Sequence, residues 1–201
     1  MREVLIIGDV HGLIWRYLQL TSLVERSIQV GDMGFAGEYA KLMAEVDPEK
    51  HKFIPGNHDD YDHLPPHALG DFGPLPWFSN GFFVRGAWSI DKAYRTPHVS
   101  WWPNEELNVA EAEVALETYA QVKPEVMITH TAPSSVAVKL ADPAFGGYFD
   151  PSTERLLEEM PRLHRPDLWI FGHWHTSWNE KIDGTEFRCL NELEVFSVKV
   201  P

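Results

Sequence analysis

Hydrophobic and polar positions along this chain alternate between short apolar runs and longer amphipathic stretches. The short runs predict strands at Glu3–Ile7, Ser27–Val30, His51–Ile54, Phe82–Ile90, Glu125–Ile128, Leu168–Phe171, Thr185–Leu190 and Glu194–Val200. The amphipathic stretches predict helices near Leu13–Val24, Glu38–Val46, Val109–Val122 and from Asp150-Pro151 through Met160. Strands that alternate with helices in this way indicate one α/β domain over residues 1–201.

Local turn and capping signals support several of these boundaries. Asn108 is placed to cap the helix that begins at Val109, and Glu111 stands at the third helical position. Asp150-Pro151 offers an N-cap followed by a first-turn proline. The stretch from 59 to 81 is rich in proline, glycine and aromatic residues, and we expect an ordered loop there.

Polar groups follow five of the apolar runs, at the point where each run ends. They are Gly8-Asp9-Val10-His11-Gly12, Gly31-Asp32, Gly56-Asn57-His58-Asp59, His130 and Gly172-His173-Trp174-His175. Taken alone, the first three groups are more typical of turns and loops than of a functional site, whereas His130 and the last group are about as typical of one as of the other. Because ligands collect at the carboxyl ends of strands in α/β sheets, the joint pattern favours a shared site. Its oxygen and nitrogen donors suit first-row divalent metal ions.

The pair His173 and His175 carries a more specific expectation. Alternate residues on an extended segment face the same way, so the two imidazoles would point to one side. Trp174, between them, would then point away from the metal side.

Composition narrows the class of protein. The 201 residues are 44% hydrophobic and 23% charged, which is normal for a soluble globular protein. One cysteine excludes an internal disulfide and a cysteine metal cluster. The formal net charge of −13 argues against long duplex nucleic acid or an anionic membrane as partner. We find no signal-peptide pattern and no membrane-spanning run, and we expect a cytoplasmic protein.

The ordered series of polar groups resembles the calcineurin-like metallophosphoesterase superfamily from residue 8 to residue 175. The stretches 83–92 and 101–105 are similar to small phage and bacterial members. The resemblance implies a four-layer α-β-β-α sandwich with two mixed sheets and two metal ions at one edge. It places the first metal on Asp9, His11, Asp32 and His175, with Asp32 bridging to a second metal on Asn57, His130 and His173. Manganese is the expected ion, with iron, zinc, nickel or cobalt as alternatives.

The chemistry of the resemblance accounts for these residue types. Two cations neutralise the phosphoryl oxygens and hold a bridging hydroxide near neutral pH as the nucleophile. An aspartate such as Asp32 offers the two oxygens that bridging requires. His58, beside the ligand Asn57, is the expected proton donor to the leaving group.

Two positions depart from the serine/threonine protein phosphatases of the superfamily. Phe35 stands where an aspartate would orient the acid histidine, and Ala36 stands where an arginine would bind a phosphomonoester. These replacements weaken the protein-phosphatase interpretation and leave His58 without its usual partner, for which Asp60 is one candidate. A diester carries one negative charge fewer than a monoester, so these replacements favour phosphodiester hydrolysis.

The expected substrate is a small phosphodiester: a cyclic nucleotide, a dinucleotide or a short oligonucleotide. Arg85, Lys92 and Arg95 form a candidate basic stripe, for which a solvated hairpin face is the alternative. Trp174 belongs to a set of tryptophans that could stack on a base, with Trp88, Trp101, Trp102 and Trp178. The alternatives are a metal-dependent phosphomonoesterase, acting on nucleotides or phosphoproteins, and an inactive metal-binding scaffold. The sequence does not indicate an oligomeric state.

Overall fold

The computed structural model describes residues 2–141 and 148–200. In these ranges the strands form one sheet of four and one sheet of six. Sheet one contains β1 (Arg2–Ile7), β2 (Ser27–Gln29), β3 (His51–Phe53) and β10 (Val195–Val200). Sheet two contains β4 (Phe72–Pro74), β5 (Gly81–Val84), β6 (Val126–Thr129), β7 (Leu168–Phe171), β8 (Trp178–Ile182) and β9 (Thr185–Cys189).

Both sheets are mixed. In sheet one the order is β10-β1-β2-β3, with β1, β2 and β3 parallel and β10 antiparallel to β1. In sheet two the order is β4-β5-β6-β7-β9-β8, with a parallel centre and antiparallel edges at β4 and β8. The parallel strands direct their carboxyl ends to one edge of each sheet, which positions the site.

Helices cover the outer face of each sheet. They are α1 (Ile14–Thr21), α2 (Ala36–Glu45), α3 (Val109–Val122), α4 (Ser134–Leu140) and α5 (Ser152–Leu163), with a 3₁₀ turn at Lys92–Tyr94. Ile14 and Tyr17 of α1 pack with Tyr39 and Leu42 of α2 against Phe53 of sheet one. On the other side, α3 and α5 pack on sheet two. The predicted four-layer α-β-β-α sandwich is confirmed.

The core between the two sheets is built from β-branched and aromatic side chains. Ile6, Ile28 and Val198 of sheet one meet Ile128 and Ile170 of sheet two, all of them buried. The central strands β6 and β7 are buried on both faces over most of their length, which explains their continuous apolar runs, whereas β10 alternates between buried and exposed residues. Burial of such side chains contributes about 1.5–3 kcal/mol each relative to an exposed position.

Several predicted boundaries needed correction. The strand predicted over 82–90 ends at Val84, because Gly86 takes a φ of 84° and its N–H donates to the Pro55 carbonyl at 2.8 Å. The last helix begins at Ser152, and Asp150 does not cap it; its carboxylate accepts a hydrogen bond from Ser134 at 2.8 Å instead. The predicted cap of α3 by Asn108 and Glu111 is confirmed.

Among the helices of the described ranges, none has the length and apolar character that crossing a bilayer requires.

Candidate metal centre and active site

The loops that follow β1, β2, β3, β6 and β7 converge at one edge of the sandwich, where the two sheets meet. They bring together the side chains that the sequence selected as ligands: Asp9, His11, Asp32, Asn57, His130, His173 and His175. Asp9, Asp32 and His130 are buried, whereas 44% of the His175 side chain is exposed. The edge is therefore a polar site on a hydrophobic base.

One group of four side chains has the geometry of a cation site. Single donor atoms of Asp9, His11, Asp32 and His175 all lie within 4.8 Å of one another. The Nε2 atoms of His11 and His175 are 2.9 Å apart. His175 Nε2 lies 3.3 Å from Asp9 Oδ2, and His11 Nε2 lies 3.7 Å from Asp32 Oδ2. Two carboxylates and two imidazoles thus face a common centre.

A second group of side chains lies on the other oxygen of Asp32. His130 Nε2 is 3.2 Å from Asp32 Oδ1 and 3.0 Å from Asn57 Oδ1. The His173 ring packs against the His130 ring with centroids 5.0 Å apart. Asp32 therefore turns one oxygen toward each group, which is the arrangement that a bridging ligand requires.

Four of the seven side chains are held on strained backbone. His11, Asp32, His173 and His175 have φ values of 46°, 59°, 67° and 46°. Non-glycine residues rarely adopt the left-handed region, and such strain is concentrated at functional sites. The expectation of an extended segment through His173 and His175 is thus wrong: a left-handed turn, not strand alternation, presents the two rings.

Two glycines permit the close approach of these loops. A Cβ on Gly56 would collide with the carboxylate of Asp32, and a Cβ on Gly172 would collide with that of Asp9. Any larger residue would therefore displace a ligand.

Asp59 fixes the loops relative to each other. Its carboxylate accepts hydrogen bonds from the backbone N–H of Asp32 (2.9 Å), Gly34 (3.0 Å) and Gly56 (2.7 Å), and from the Tyr39 hydroxyl (2.9 Å). The sequence places Asp59 in the motif but assigns it no role. Its position ties the loop after β2 to the loop after β3.

Asn57 is oriented by a chain of hydrogen bonds that sequence reasoning missed. Its amide nitrogen donates to Ser89 Oγ at 3.1 Å, and Ser89 Oγ donates to Glu105 Oε2 at 2.5 Å. The amide oxygen of Asn57 is thereby turned toward His130 and Asp32. Ser89 and Glu105 fall in the stretches that resemble small phage and bacterial members, and that resemblance was the available signal.

The electrostatics of the site favour positive charge. Burial lowers the pKa of His130, but the carboxylates of Asp32 and Asp9 outweigh burial and raise that pKa to about 9. A hydrogen bond to Asp9 raises the pKa of His175. Burial, followed by the neighbouring His130, lowers the pKa of His173 well below its ordinary value and keeps that imidazole uncharged. The buried carboxylates therefore require positive charge nearby. A metal ion can supply that charge in place of the protons on His130 and His175.

The residues present fit divalent metal ions. The Nδ1 of His130 faces the Val30 carbonyl at 2.9 Å, which leaves Nε2 for the site, as in many metal-binding histidines. Asp9 Oδ1 is buried and accepts no hydrogen bond from any residue in the described ranges. Carboxylate, amide and imidazole donors in this combination suit a first-row divalent ion.

His58 lies beside the ligands and is paired in an unexpected way. Its backbone N–H donates to Asp32 Oδ1 at 2.7 Å, and its ring is 5.3 Å from the His11 ring. Arg95 Nη2 lies 2.5 Å from His58 Nε2, and Asp91 pairs with Arg95 Nε at 2.8 Å. Burial lowers the pKa of His58, and the Arg95 guanidinium lowers it further, whereas Asp32 raises it.

The partner of His58 thus comes from a segment that the motifs do not cover. Asp60, the candidate from sequence, pairs instead with His63 at 2.9 Å. Phe35 packs on the Trp102 ring, with centroids 5.6 Å apart.

A cavity of about 790 Å³ opens beside the ligands and includes Asp32, Asn57, His58, His173 and His175 in its lining. Trp174 also lines it. Arg85 does not: it is buried, its Nε pairs with Asp71 at 2.5 Å, and its Nη1 donates to the Asn104 carbonyl at 2.7 Å. The structure therefore separates Arg85 from the site and brings Arg95 to it.

Comparison with solved structures gives the same architecture. A dimetal phosphatase from Danio rerio aligns with a TM-score of 0.57 and 14% identity, over 99% of this chain and 92% of that one. The protein TT1561 of Thermus thermophilus aligns with a TM-score of 0.55 and 13% identity, over 100% and 99%. A putative 5′-nucleotidase from Staphylococcus aureus aligns with a TM-score of 0.53 and 13% identity, over 97% and 50%. At these identities the likeness shows the fold alone.

No curated protein matches the sequence. The family model of the calcineurin-like phosphoesterases matches residues 2–177, which include every side chain of the candidate metal centre. Membership implies a metal-dependent hydrolase of phosphoesters. The chain belongs to the calcineurin-like phosphoesterase family.

Proposed function

We propose that this protein is a dinuclear metal-dependent phosphodiesterase that hydrolyses small phosphodiesters. The observation that carries the proposal is the position of Asp32 between two groups of ligands. One carboxylate oxygen lies 3.7 Å from His11 Nε2 and the other lies 3.2 Å from His130 Nε2. A site for one metal would not need ligands on both sides of the same carboxylate.

The chain's own residues would hold two divalent ions, manganese being our first candidate. Asp9, His11 and His175 complete one site around Asp32, and Asn57, His130 and His173 complete the other. Such ions supply positive charge to the phosphoryl oxygens and lower the pKa of bound water. The buried carboxylates keep that charge in place, and Asp59 holds the loops that carry them.

Preference for a diester is supported by the charges around the cavity. The lysine and arginine side chains in its described lining are Lys139 and Arg95. Lys139 pairs with Glu180 at 2.7 Å, and Arg95 pairs with Asp91 at 2.8 Å. Little unpaired cationic charge is left for the second negative charge of a phosphomonoester. The cavity of about 790 Å³ can also accept an alcohol group on the phosphorus.

Arg95 and His58 act together at the substrate in this proposal. The guanidinium has five N–H groups, and the described contacts use one for Asp91, one for His58 and one for the Ser100 carbonyl. Two N–H groups remain for a phosphoryl or leaving-group oxygen. Because His58 Nε2 accepts a hydrogen bond from Arg95, the role of His58 before substrate binds is to orient the guanidinium. Once substrate is bound, His58 assists the departure of the leaving group.

The main alternative is a phosphomonoesterase, and Arg95 is the observation that favours it. A guanidinium beside the metal ligands could replace the arginine absent at Ala36. Turnover of bis-p-nitrophenyl phosphate and of p-nitrophenyl phosphate, measured side by side with manganese, separates the two functions. We expect the larger kcat/KM on the diester. A clearly larger kcat/KM on the monoester would overturn the proposal that the protein is a phosphodiesterase.

An inactive metal-binding scaffold is a rival from a different class. Metal content should first be measured on protein purified without added metal, and both esters should then be assayed with manganese, nickel, cobalt and zinc. Asp32→Asn serves as the blank, because it removes the bridging charge. If the protein contains metal but hydrolyses neither ester with any of the four metal ions, the result would support the inactive scaffold.

A further inference from the structure

One wall of the cavity beside the metal ligands is aromatic. The rings of Trp88 and Phe149 pack against each other with centroids 5.5 Å apart, and both line the cavity together with Trp174. The Lys92 ammonium lies over the Trp88 ring, 5.1 Å from its centroid, and makes a cation–π contact with it. More than half of the Phe149 surface is exposed, at 55%. Aromatic surface of this kind offers a stacking platform for a planar ring.

The lining also contains a buried carboxyl group with an unused acceptor. Glu154 of α5 is only 2% exposed, and its Oε1 accepts a hydrogen bond from Thr131 Oγ1 at 3.0 Å. Its Oε2 accepts none from any residue in the described ranges. The nearby Tyr148 hydroxyl lowers the pKa of this carboxyl, but donates its own hydrogen bond to Asp150 at 3.2 Å. Buried acceptors are rarely left unused without a reason.

The same lining has an unused donor. Trp174 Nε1 is buried and has no acceptor among the residues that the structure describes. A ligand that presents both a donor and an acceptor at its edge would satisfy Glu154 and Trp174 together. Nucleobases have such edges.

The position of the cavity limits which part of a substrate can enter it. Asp32, Asn57 and His58 line the same space as the aromatic wall, so a phosphorus atom held at the metal ligands places its ester group there. Since Arg95 and Lys139 are each paired with a carboxylate, the space favours an uncharged group over a second phosphate.

We propose that this cavity binds the nucleobase of the substrate, with the base stacked on the aromatic wall of Trp88 and Phe149 and an N–H of its edge donating to Glu154 Oε2. The proposal rests on the proposed function for the position of the phosphorus, and it narrows the substrate to a nucleotide diester. The base-binding step needs no metal ion, which makes it separable by experiment.

Replacement of Glu154 by glutamine gives a sharp test because of Thr131. The Thr131 hydroxyl donates to Oε1, so the amide oxygen of Glu154→Gln stays on that side. The amide nitrogen then occupies the position of Oε2. It is a donor, so it faces the N–H of the base without forming a hydrogen bond. The variant keeps the volume and the Thr131 hydrogen bond, but loses the acceptor.

The experiment compares adenosine with purine riboside, which has the same ring and sugar but lacks the exocyclic amino group. Both are titrated at pH 8, above the pKa of about 7 of the Glu154 carboxyl, so that Oε2 belongs to a carboxylate. The protein is the metal-free full chain, whose eight tryptophan indoles are labelled with ¹⁵N. We expect adenosine to bind about fivefold to tenfold more tightly, as one hydrogen bond to a buried acceptor provides. The indole signals of Trp88 and Trp174 should shift, the former being assigned by its loss in Trp88→Leu.

The variants separate stacking from hydrogen bonding. In Glu154→Gln the preference for adenosine should vanish, while purine riboside binds as before. In Phe149→Leu both nucleosides should bind more weakly by a similar factor. The control is Glu159→Gln on the same helix, where an exposed glutamate pairs with Arg162 and should change nothing.

The two proposals fail in different ways. Equal affinity of the unchanged protein for adenosine and purine riboside, or shifts confined to other indoles, would overturn the base site. If bis-p-nitrophenyl phosphate is still hydrolysed by that protein, the proposed function survives. If nucleosides bind as expected but no diester is hydrolysed with any metal, the base site stands and the phosphodiesterase proposal fails.

Discussion

Single residues at the sheet edge are held at a cost in conformational energy. His11, Asp32, His173 and His175 adopt left-handed backbone, for which a non-glycine residue loses roughly 1–3 kcal/mol. The four hydrogen bonds accepted by Asp59 help to offset that cost in the loops after β2 and β3. The left-handed backbone at these residues directs their carboxylates and imidazoles toward a common centre, where a cation would stabilise them.

The shared position of Asp32 makes its replacement more damaging than that of a ligand on one side. Asp32→Asn should bind little or no metal, because both groups of ligands lose the negative charge between them. Asn57→Ala should retain about one ion per chain, since Asp9, His11, Asp32 and His175 remain. Elemental analysis after equilibration with manganese measures both. An equal loss of metal in the two variants would show that Asp32 does not bridge.

Arg95 gives a prediction that concerns the substrate rather than the metal. Removing one donor to developing negative charge typically lowers kcat by about 10²–10³-fold, and we expect Arg95→Gln to approach that loss on diesters. Its metal content should not change, because Arg95 contacts His58 and not the ligand atoms. Arg165→Gln removes an exposed guanidinium paired with Asp183 and is the control. Activity of Arg95→Gln within about twofold of the unchanged protein would rule out the role.

Among the elements, α3 has the clearest link from sequence to stability. The Asn108 side chain accepts from the Glu111 N–H at 3.1 Å, and the Glu111 carboxylate accepts from the Asn108 N–H at 2.9 Å. Asn108→Ala should cost about 1 kcal/mol of unfolding free energy, or roughly 2–4 °C in Tm. Thermal unfolding measures it, with Glu113→Gln as the exposed control on the same helix. A Tm that falls equally in both variants would contradict the cap.

Elements with a continuous apolar run or a complete cap could be predicted from sequence. β7 begins and ends at Leu168 and Phe171 as predicted, and α3 covers 109–122 as predicted. Three elements were missed: β4, α4 and β8. β4 contains Gly73 and Pro74, and β8 has mostly exposed polar residues, so neither shows a strand pattern. Both lie at sheet edges, where pairing with a neighbour, and not the local sequence, forms the strand.

Across the whole molecule, the site depends on both sheets. Asp9, Asp32 and Asn57 follow strands of sheet one, whereas His130 and His173 follow strands of sheet two. Their order along the sequence made the ligand set predictable. Arg95, Glu105 and Glu154 reach the site from loops and a helix with no fixed spacing to the motifs, so only the packing of the sheets and helices brings them there.

Glu154 also makes the stability of the whole molecule depend on pH. Burial, together with the negative charges of Glu106 and Asp150, raises the pKa of its carboxyl to about 7, although the Tyr148 and Thr131 hydroxyls lower it. The folded state therefore keeps a proton that the unfolded chain releases near its ordinary pKa of 4.5. This contribution to stability is full below pH 4.5 and declines as the pH rises toward about 7, where it is lost.

A shift of this size corresponds to about 3 kcal/mol. Glu154→Gln cannot ionise, so its unfolding free energy relative to the unchanged protein should rise by about that amount between pH 4.5 and pH 7.5. Urea unfolding at the two pH values, at one fixed metal concentration, measures the difference. Glu159→Gln, exposed on the same helix, should show no such change with pH. If the unfolding free energies of Glu154→Gln and of the unchanged protein change in parallel with pH, Glu154 ionises in the folded state as it does in the unfolded chain. That result would contradict a pKa raised by burial, although Glu154 could still accept a hydrogen bond from a base.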